Sequence, residues 1–448
     1  MVRILLYGVP GVTVLIVAVA LLVGVAPREV VGARLLGGPS PDGVRVSVRM
    51  VVLAQRGDAI RSVAARPVRL ELREPGGALL ASWEGELDQT GEAAVDVDMS
   101  RPSAAPPTVV VRAPWARELL ALGTLGASRD HWRRSARWRG GYIESRQRGE
   151  LQLRVAVAGG VLAVPFPALV LVEVRRGGQP LPDVAVSPQP ESLAVERPPG
   201  RTNHRGRTSL VVRPLAHIAA LGLSAEAAGA KGSWYSTLPA VAGALDARLG
   251  EQQRLEIRSP IARELAFFSL VTERGRYAGG SVALVGDGHG GGVGFSRLPP
   301  PPRERLWAVV SSESDLASPA TVGWPLGHFE RQWMDGSLRR PPRSLTIPDQ
   351  LLVDGLAPLV RAERERQAKV RRVTALFVVT AMALVVLVIL LRIHESEQRL
   401  QAHLARTVGG AGRGIAPASF GRWLSAGVAV LCVMFGFLLL ALLALVRV

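Results

Sequence analysis

Only one cysteine, Cys432, stands in the 448 residues, so no intramolecular disulfide forms and a cysteine-based zinc site is excluded. Lysine is almost missing as well. Lys231 and Lys369 are the only two, and arginine supplies the rest of the 54 basic residues. The seven histidines, His131, His204, His217, His289, His328, His394 and His403, include no H-E-x-x-H pair or comparable ligand spacing. No G-x-S-x-G nucleophile elbow exists; the nearest string, Gly222-Leu223-Ser224-Ala225-Glu226, lacks the last glycine. The glycine string 286–292 follows an apolar strand but opens no helix and carries no Gly-Lys-Ser/Thr, so it reads as a hairpin and not as a phosphate loop. These absences leave no motif for a metal, a cofactor or catalysis, and none is expected. Glycosidases use acids distant in sequence, so an envelope hydrolase stays as an alternative.

What the chain does have is apolar sequence and positive charge. Apolar residues make up 48%, the formal net charge is +17, and the mean hydropathy is +0.23. The arginines are scattered from Arg3 to Arg447 instead of gathering on one basic, aromatic-laced stretch, so nucleic acid is not an expected partner. Three long apolar runs account for the hydropathy: 4–26, 373–391 and 423–446. At about 1.5 Å per helical residue each is long enough for a ~30 Å hydrocarbon core. None of the three contains a charge, which suits anchors better than ion pathways.

The expectation is an N-terminal transmembrane anchor or signal (1–27) and a C-terminal transmembrane hairpin (373–391 and 423–446) around a basic loop, 392–422. Arginines of that loop fit the cytoplasmic side, although the basic stretch 361–372 argues for the same side. The bias weakens over long loops, so residues 27–372 are expected outside the cytoplasm, on the periplasmic or extracytoplasmic face of the inner membrane.

Between the anchors the chain alternates with a period of two. Val44, Val46 and Val48 oppose Arg45, Ser47 and Arg49, and Val68, Leu70 and Leu72 oppose Arg69, Glu71 and Arg73. Short strands at roughly ten-residue spacing between Gly/Pro turns predict β-sandwiches. The pattern recurs three times, as sandwiches over 40–114, 149–245 and 252–330. From 345 to 372 an apolar stripe at helical spacing, with Pro348 in the first turn, predicts a stalk helix running into the second membrane segment.

The string Thr202-Asn203-His204-Arg205-Gly206-Arg207-Thr208 resembles the T-[DN]-x-x-G-x-[AT] hairpin of bacterial immunoglobulin-like, carboxypeptidase-regulatory-like and macroglobulin-like domains. Asp88-Gln89-Thr90-Gly91-Glu92-Ala93 resembles a shortened version, and Gln179-Pro180-Leu181-Pro182-Asp183-Val184 is similar to a turn of the same domains. The resemblance covers about 40–330 and implies a sandwich, not an activity. The Cys-Glu-Gln thioester of macroglobulins is missing, so covalent protease trapping is not implied.

One stretch breaks the strand pattern. Residues 115–148 begin like a short helix and become a basic Trp/Arg-rich linker. Its candidate interaction patch is Trp132, Arg133, Arg134, Arg137, Trp138 and Arg139, residue types enriched in contact surfaces. The sequence therefore predicts a mainly β, non-catalytic, membrane-anchored envelope protein. Its ectodomain would be a structural or protein-interaction module with an envelope or membrane protein as partner. The alternative is an accessory subunit of a transport or secretion complex.

Overall fold

The computed structural model describes residues 27–101, 105–227, 229–250, 253–300, 304–314, 316 and 318–407. The expected segment 1–27, apart from its last residue, the third apolar run and residues 408–422 of the basic loop lie outside them. The chain is mainly β and divides into two compact units, one of them spanning 31–53 and 61–356.

That unit consists of three sandwiches, each with two sheets closing on a shared apolar core. In the first, Leu35, Val48 and Met50 of one sheet pack against Leu70, Val109 and Val111 of the other. The second joins Leu153, Val172 and Leu210 to Leu221, Leu223 and Trp234. The third joins Leu255 and Ile257 to Phe268, Leu270, Ala308 and Val310. In each, the residues that alternate inward along the strands fill the core, which is why the period-two pattern was legible.

The edges of the units differ from the sequence expectation. The first sandwich is not confined to 40–114. It also takes Val30–Gly37, Ala121–Thr124 and Gln350–Asp354. Residues 345–355 are not the start of a stalk helix. Ser344–Thr346 and Gln350–Asp354 are strands, and Pro348 lies between them. Leu345, Ile347 and Val353 are buried while Leu351 is exposed, and the spacing of Leu351, Leu352 and Leu356 had pointed to a helix. Gln350–Asp354 pairs antiparallel with Val30–Gly37 in the register Arg34↔Asp354 and Gly37↔Gln350. The Gly355 amide donates to the Ala33 carbonyl at 2.8 Å. The chain therefore enters and leaves the three sandwiches side by side.

A single turn recurs in all three sandwiches. Asn203 Oδ1 accepts from the amides of Arg205 and Arg207 at 2.9 and 3.0 Å. Asp88 Oδ1 accepts from Thr90 and Glu92 at 2.9 Å each. Asp287 Oδ1 accepts from His289 and Gly291 at 2.8 and 3.0 Å. The residue three positions on is glycine at positive φ each time: Gly91 at 80°, Gly206 at 69° and Gly290 at 89°. An Asx side chain that closes the turn and a left-handed glycine that reverses it make one device. The glycine string 286–292 is thus the third copy of the hairpin, and its strands Val285–Gly286 and Gly292–Arg297 pair directly. The amides of His289 and Gly291 hold the Asp287 carboxyl below its usual pKa. Replacing Gly206 by alanine strains φ and drives a Cβ into the Val174 carbonyl oxygen. A loss of about 2 kcal/mol is expected in urea unfolding. Gly177→Ala, where φ is 55° but the space is open, should cost less.

The sandwiches are locked to one another. Helix α1 (Arg129–Ser135) and helix α2 (Phe329–Asp335) fill the joints. Trp333 of α2 is fully buried, and the Arg207 guanidinium stacks on it at 4.0 Å while donating to the carbonyls of Trp333 and Leu338 at 3.0 Å. Asn203 Nδ2 donates to the Met334 carbonyl at 2.7 Å. The second sandwich's hairpin thus serves as the dock for the helix that follows the third.

The second unit contains the helix α3 (Leu356–Thr407) from Ala357 onward. The helix is 52 residues long, about 78 Å at 1.5 Å per residue. It unites residues 356–372 of the expected stalk, the run 373–391 and the first part of the basic loop. Among the described residues no helix is long and apolar enough to cross a membrane. Run 373–391 lies inside α3, where some of its side chains fall outside the described set. Glu363 accepts from Arg366 at 2.7 Å and from the Arg28 amide at 3.0 Å. Arg366 above all, then the Arg28 amide and Gln367, outweigh burial and bring its pKa from 4.5 to about 2. The folded pKa is depressed, so this tie is fully present above about pH 4.5 and lost as the pH falls through about 2. Hydrogen exchange at the Arg28 amide should be protected near neutrality and released in that acid window.

Candidate interaction surface

The candidate patch is assembled by three elements. Ser128 caps α1, its Oγ accepting from the His131 amide at 3.1 Å, with Asp130 in the first turn and Arg133 and Arg134 in the last. Both charge placements favour the helix dipole. Trp132, one turn in, points away from solvent. It is fully buried in a cluster with Val271, Trp307, Val309, Leu345 and Ile347, and its Nε1 donates to the Thr272 carbonyl at 3.3 Å. Its ring also lies against Gly38, where a Cβ would collide with it. Trp132 is therefore a wedge between the first and third sandwiches and is not available to a partner, contrary to the sequence expectation. Tryptophan in a basic stretch says nothing about which side of the helix faces inward.

Arg137–Arg139 is not linker but a short strand, paired with Ser344–Thr346 in the register Arg139↔Ser344 and Arg137↔Thr346. Trp138 meets Trp307 edge to face at 5.5 Å and 84°. The Arg343 guanidinium sits 5.3 Å from its ring centre, and the ring stays 37% exposed. Arg133, Arg134, Arg137 and Arg139 are exposed. They form no ion pair among the described residues. Beside them opens a cleft of about 570 Å³ whose walls include Arg133, Trp138, Arg305 and Trp307. Glu273 and Glu304 are its acids, and Glu304 is paired with Arg274 at 2.7 Å. Five of the six residues singled out from sequence are thus exposed, and two of them, Arg133 and Trp138, line this cleft. Arg305 of the cleft wall, Arg343 over the Trp138 ring and the buried Trp307 beneath it were missed because they lie some 170 residues or more away in the chain and carry no local motif.

A second cleft, of about 810 Å³, lies between the second and third sandwiches beside α2. Its acids are Asp246 and Glu330. Burial pushes the Asp246 pKa up, with Arg248, 2.7 Å away, pulling against it. Burial also works to raise Glu330, but hydrogen bonds from Arg197 and Ser209 hold it below its usual value. Each carboxylate is tied to an arginine, an arrangement that positions strands and sandwiches. No group of three or more His, Cys, Asp or Glu side chains among the described residues is placed to hold a metal ion.

No protein-family model matches the chain, and no curated protein matches it. Among solved structures, the D0-D1 domain of intimin is 12% identical over 43% of this chain and 90% of that one, with a TM-score of 0.15. Invasin, described as a bacterial integrin-binding protein, is 9% identical over 63% of this chain, with a TM-score of 0.16. The native conformation of the E. coli α-2-macroglobulin is 12% identical over 68% of this chain, with a TM-score of 0.17. The chain spans 57% of the invasin and 23% of the macroglobulin. With scores this low, the architecture rests on the sheets and cores described above.

Proposed function

We propose that this chain is a membrane-tethered envelope protein whose three immunoglobulin-like sandwiches act as a non-catalytic structural or protein-interaction module. The observation that carries the reading is the pairing of Val30–Gly37 with Gln350–Asp354. Entry and exit of the sandwich unit lie side by side, as a module needs if the apolar runs before and after it belong to one bilayer. Three sandwiches joined by buried tryptophans and arginines present a fixed surface, and the exposed arginines around Trp138 are its most distinctive part.

Topology tests this directly. Gln179 sits on an exposed hairpin of the second sandwich. Gln179→Cys, with Cys432 changed to alanine, should react with a membrane-impermeant maleimide added outside intact inner membranes. The protein should stay in the membrane pellet after alkaline carbonate washing. Labelling only after lysis would place the sandwiches in the cytoplasm, and release by carbonate would remove the tether.

A further inference from the structure

We propose that the strand Arg137–Arg139 is a docking edge that takes an extended acidic peptide of a partner protein as an added strand. This deepens the interaction-module reading and rests on it. The strand pairs with Ser344–Thr346 on one side, and among the described residues no strand pairs with it on the other. All three of its side chains are exposed. An open strand edge offers backbone donors and acceptors to an incoming chain.

The side chains around the edge set the chemistry of that chain. Successive residues of a strand face opposite ways, so Arg137 and Arg139 share the face opposite Trp138. Arg133 and Arg134 extend the positive field onto α1, and none of the four has an acid partner among the described residues. Guanidinium forks pair two-pronged with carboxylates. Trp138, held from below by Trp307 and stacked by Arg343, supplies an aromatic wall beside a cleft of about 570 Å³. An extended peptide with alternating acids lays its carboxylates along one arginine row and its small apolar residues toward the tryptophan. Charges on an edge strand also serve to prevent self-pairing. That role alone does not call for arginines on the neighbouring helix or for an aromatic cleft beside the strand.

The test uses the full chain in detergent and a fluorescent Glu-Val alternating octapeptide, read by anisotropy at low and moderate salt. Binding is expected, with a Lys-Val octapeptide not binding. Arg137→Gln combined with Arg139→Gln should weaken it at least roughly tenfold, the equivalent of losing charge-assisted pairs. The same octapeptide N-methylated at alternate residues keeps its charge but loses one hydrogen-bonding edge, and it should bind at least roughly tenfold more weakly. Equal binding of the methylated peptide, or of polyglutamate and phosphatidylglycerol vesicles in place of the octapeptide, would overturn strand addition. No peptide binding, together with self-association of the double Gln variant, would assign the arginines to edge protection alone. These outcomes do not depend on which side of the membrane the sandwiches occupy, so the maleimide result and this one fail separately.

Discussion

Asp349→Ala is expected to destabilise the three-sandwich unit by about 3–5 kcal/mol, because it strands a buried arginine. Arg276 and Asp349 have side chains only 1% exposed and lie 3.4 Å apart. Arg276 comes from the third sandwich, and its guanidinium donates to Ser269 at 3.1 Å and across to Ser47 of the first sandwich at 2.8 Å. Arg49, also of the first sandwich, approaches Asp349 at 3.8 Å and Glu92 at 3.9 Å. Asp349 stands just before the strand that returns the chain to the first sandwich. Asp349 thus faces two arginines at a joint of three chain segments, and Glu92 shares Arg49 with it. Desolvated charges are tolerated only when paired, so removing either partner is costly while removing both together is not. Arg276→Met combined with Asp349→Leu should therefore recover most of the loss. Urea unfolding followed by tryptophan fluorescence distinguishes the cases. A double variant as unstable as Asp349→Ala would show that the pair is not the source. As a reference, Glu150→Ala, which breaks the exposed pair with Arg176, should change stability by at most about 1 kcal/mol.

Trp132→Ala should cost about 3–5 kcal/mol as well, through a different cause: a cavity in a closed joint. Nothing about Trp132 faces solvent, and its ring spans from Gly38 in the first sandwich to Val271 and Thr272 in the third. Trp138→Ala, six residues on, removes a half-exposed ring whose main contact is edge to face with Trp307. Its expected cost is about 1 kcal/mol. The two variants separate framework from surface within one short stretch. Trp132→Ala should lower the urea midpoint and leave octapeptide affinity within about twofold under conditions where the protein is folded. Trp138→Ala should do the reverse. Equal destabilisation by both would mean that Trp138 belongs to the core of the joint.

Much of the architecture could be read along the chain. Val68, Leu70 and Leu72, and Leu151, Leu153, Val155 and Val157, enter their cores at every second position, and that spacing is a local pattern; Ser47 and Arg49, the polar residues flanking Val48, are buried as well. The hairpin device was visible at Asn203 and Asp88 for a similar reason, since turn, cap and glycine lie within five residues. Its third copy at Asp287 was read only as a hairpin, because Asp-Gly-His-Gly-Gly shares just the first and fourth positions with the other two. Pairing over long distances left no such trace. Nothing near Val30 announces a partner at Gln350, and nothing near Ser47 announces Arg276, 229 positions away.

The basic stretch 129–139 shows where the line falls. Its composition determined that arginine and tryptophan would be concentrated there, because composition is a property of the chain itself. The tertiary structure decided that Trp132 closes a joint while Trp138 and four arginines stay at the surface. Which face of a seven-residue helix or a three-residue strand meets water is set by what packs against it, and here that is Val271, Trp307 and Leu345 from distant parts of the sequence.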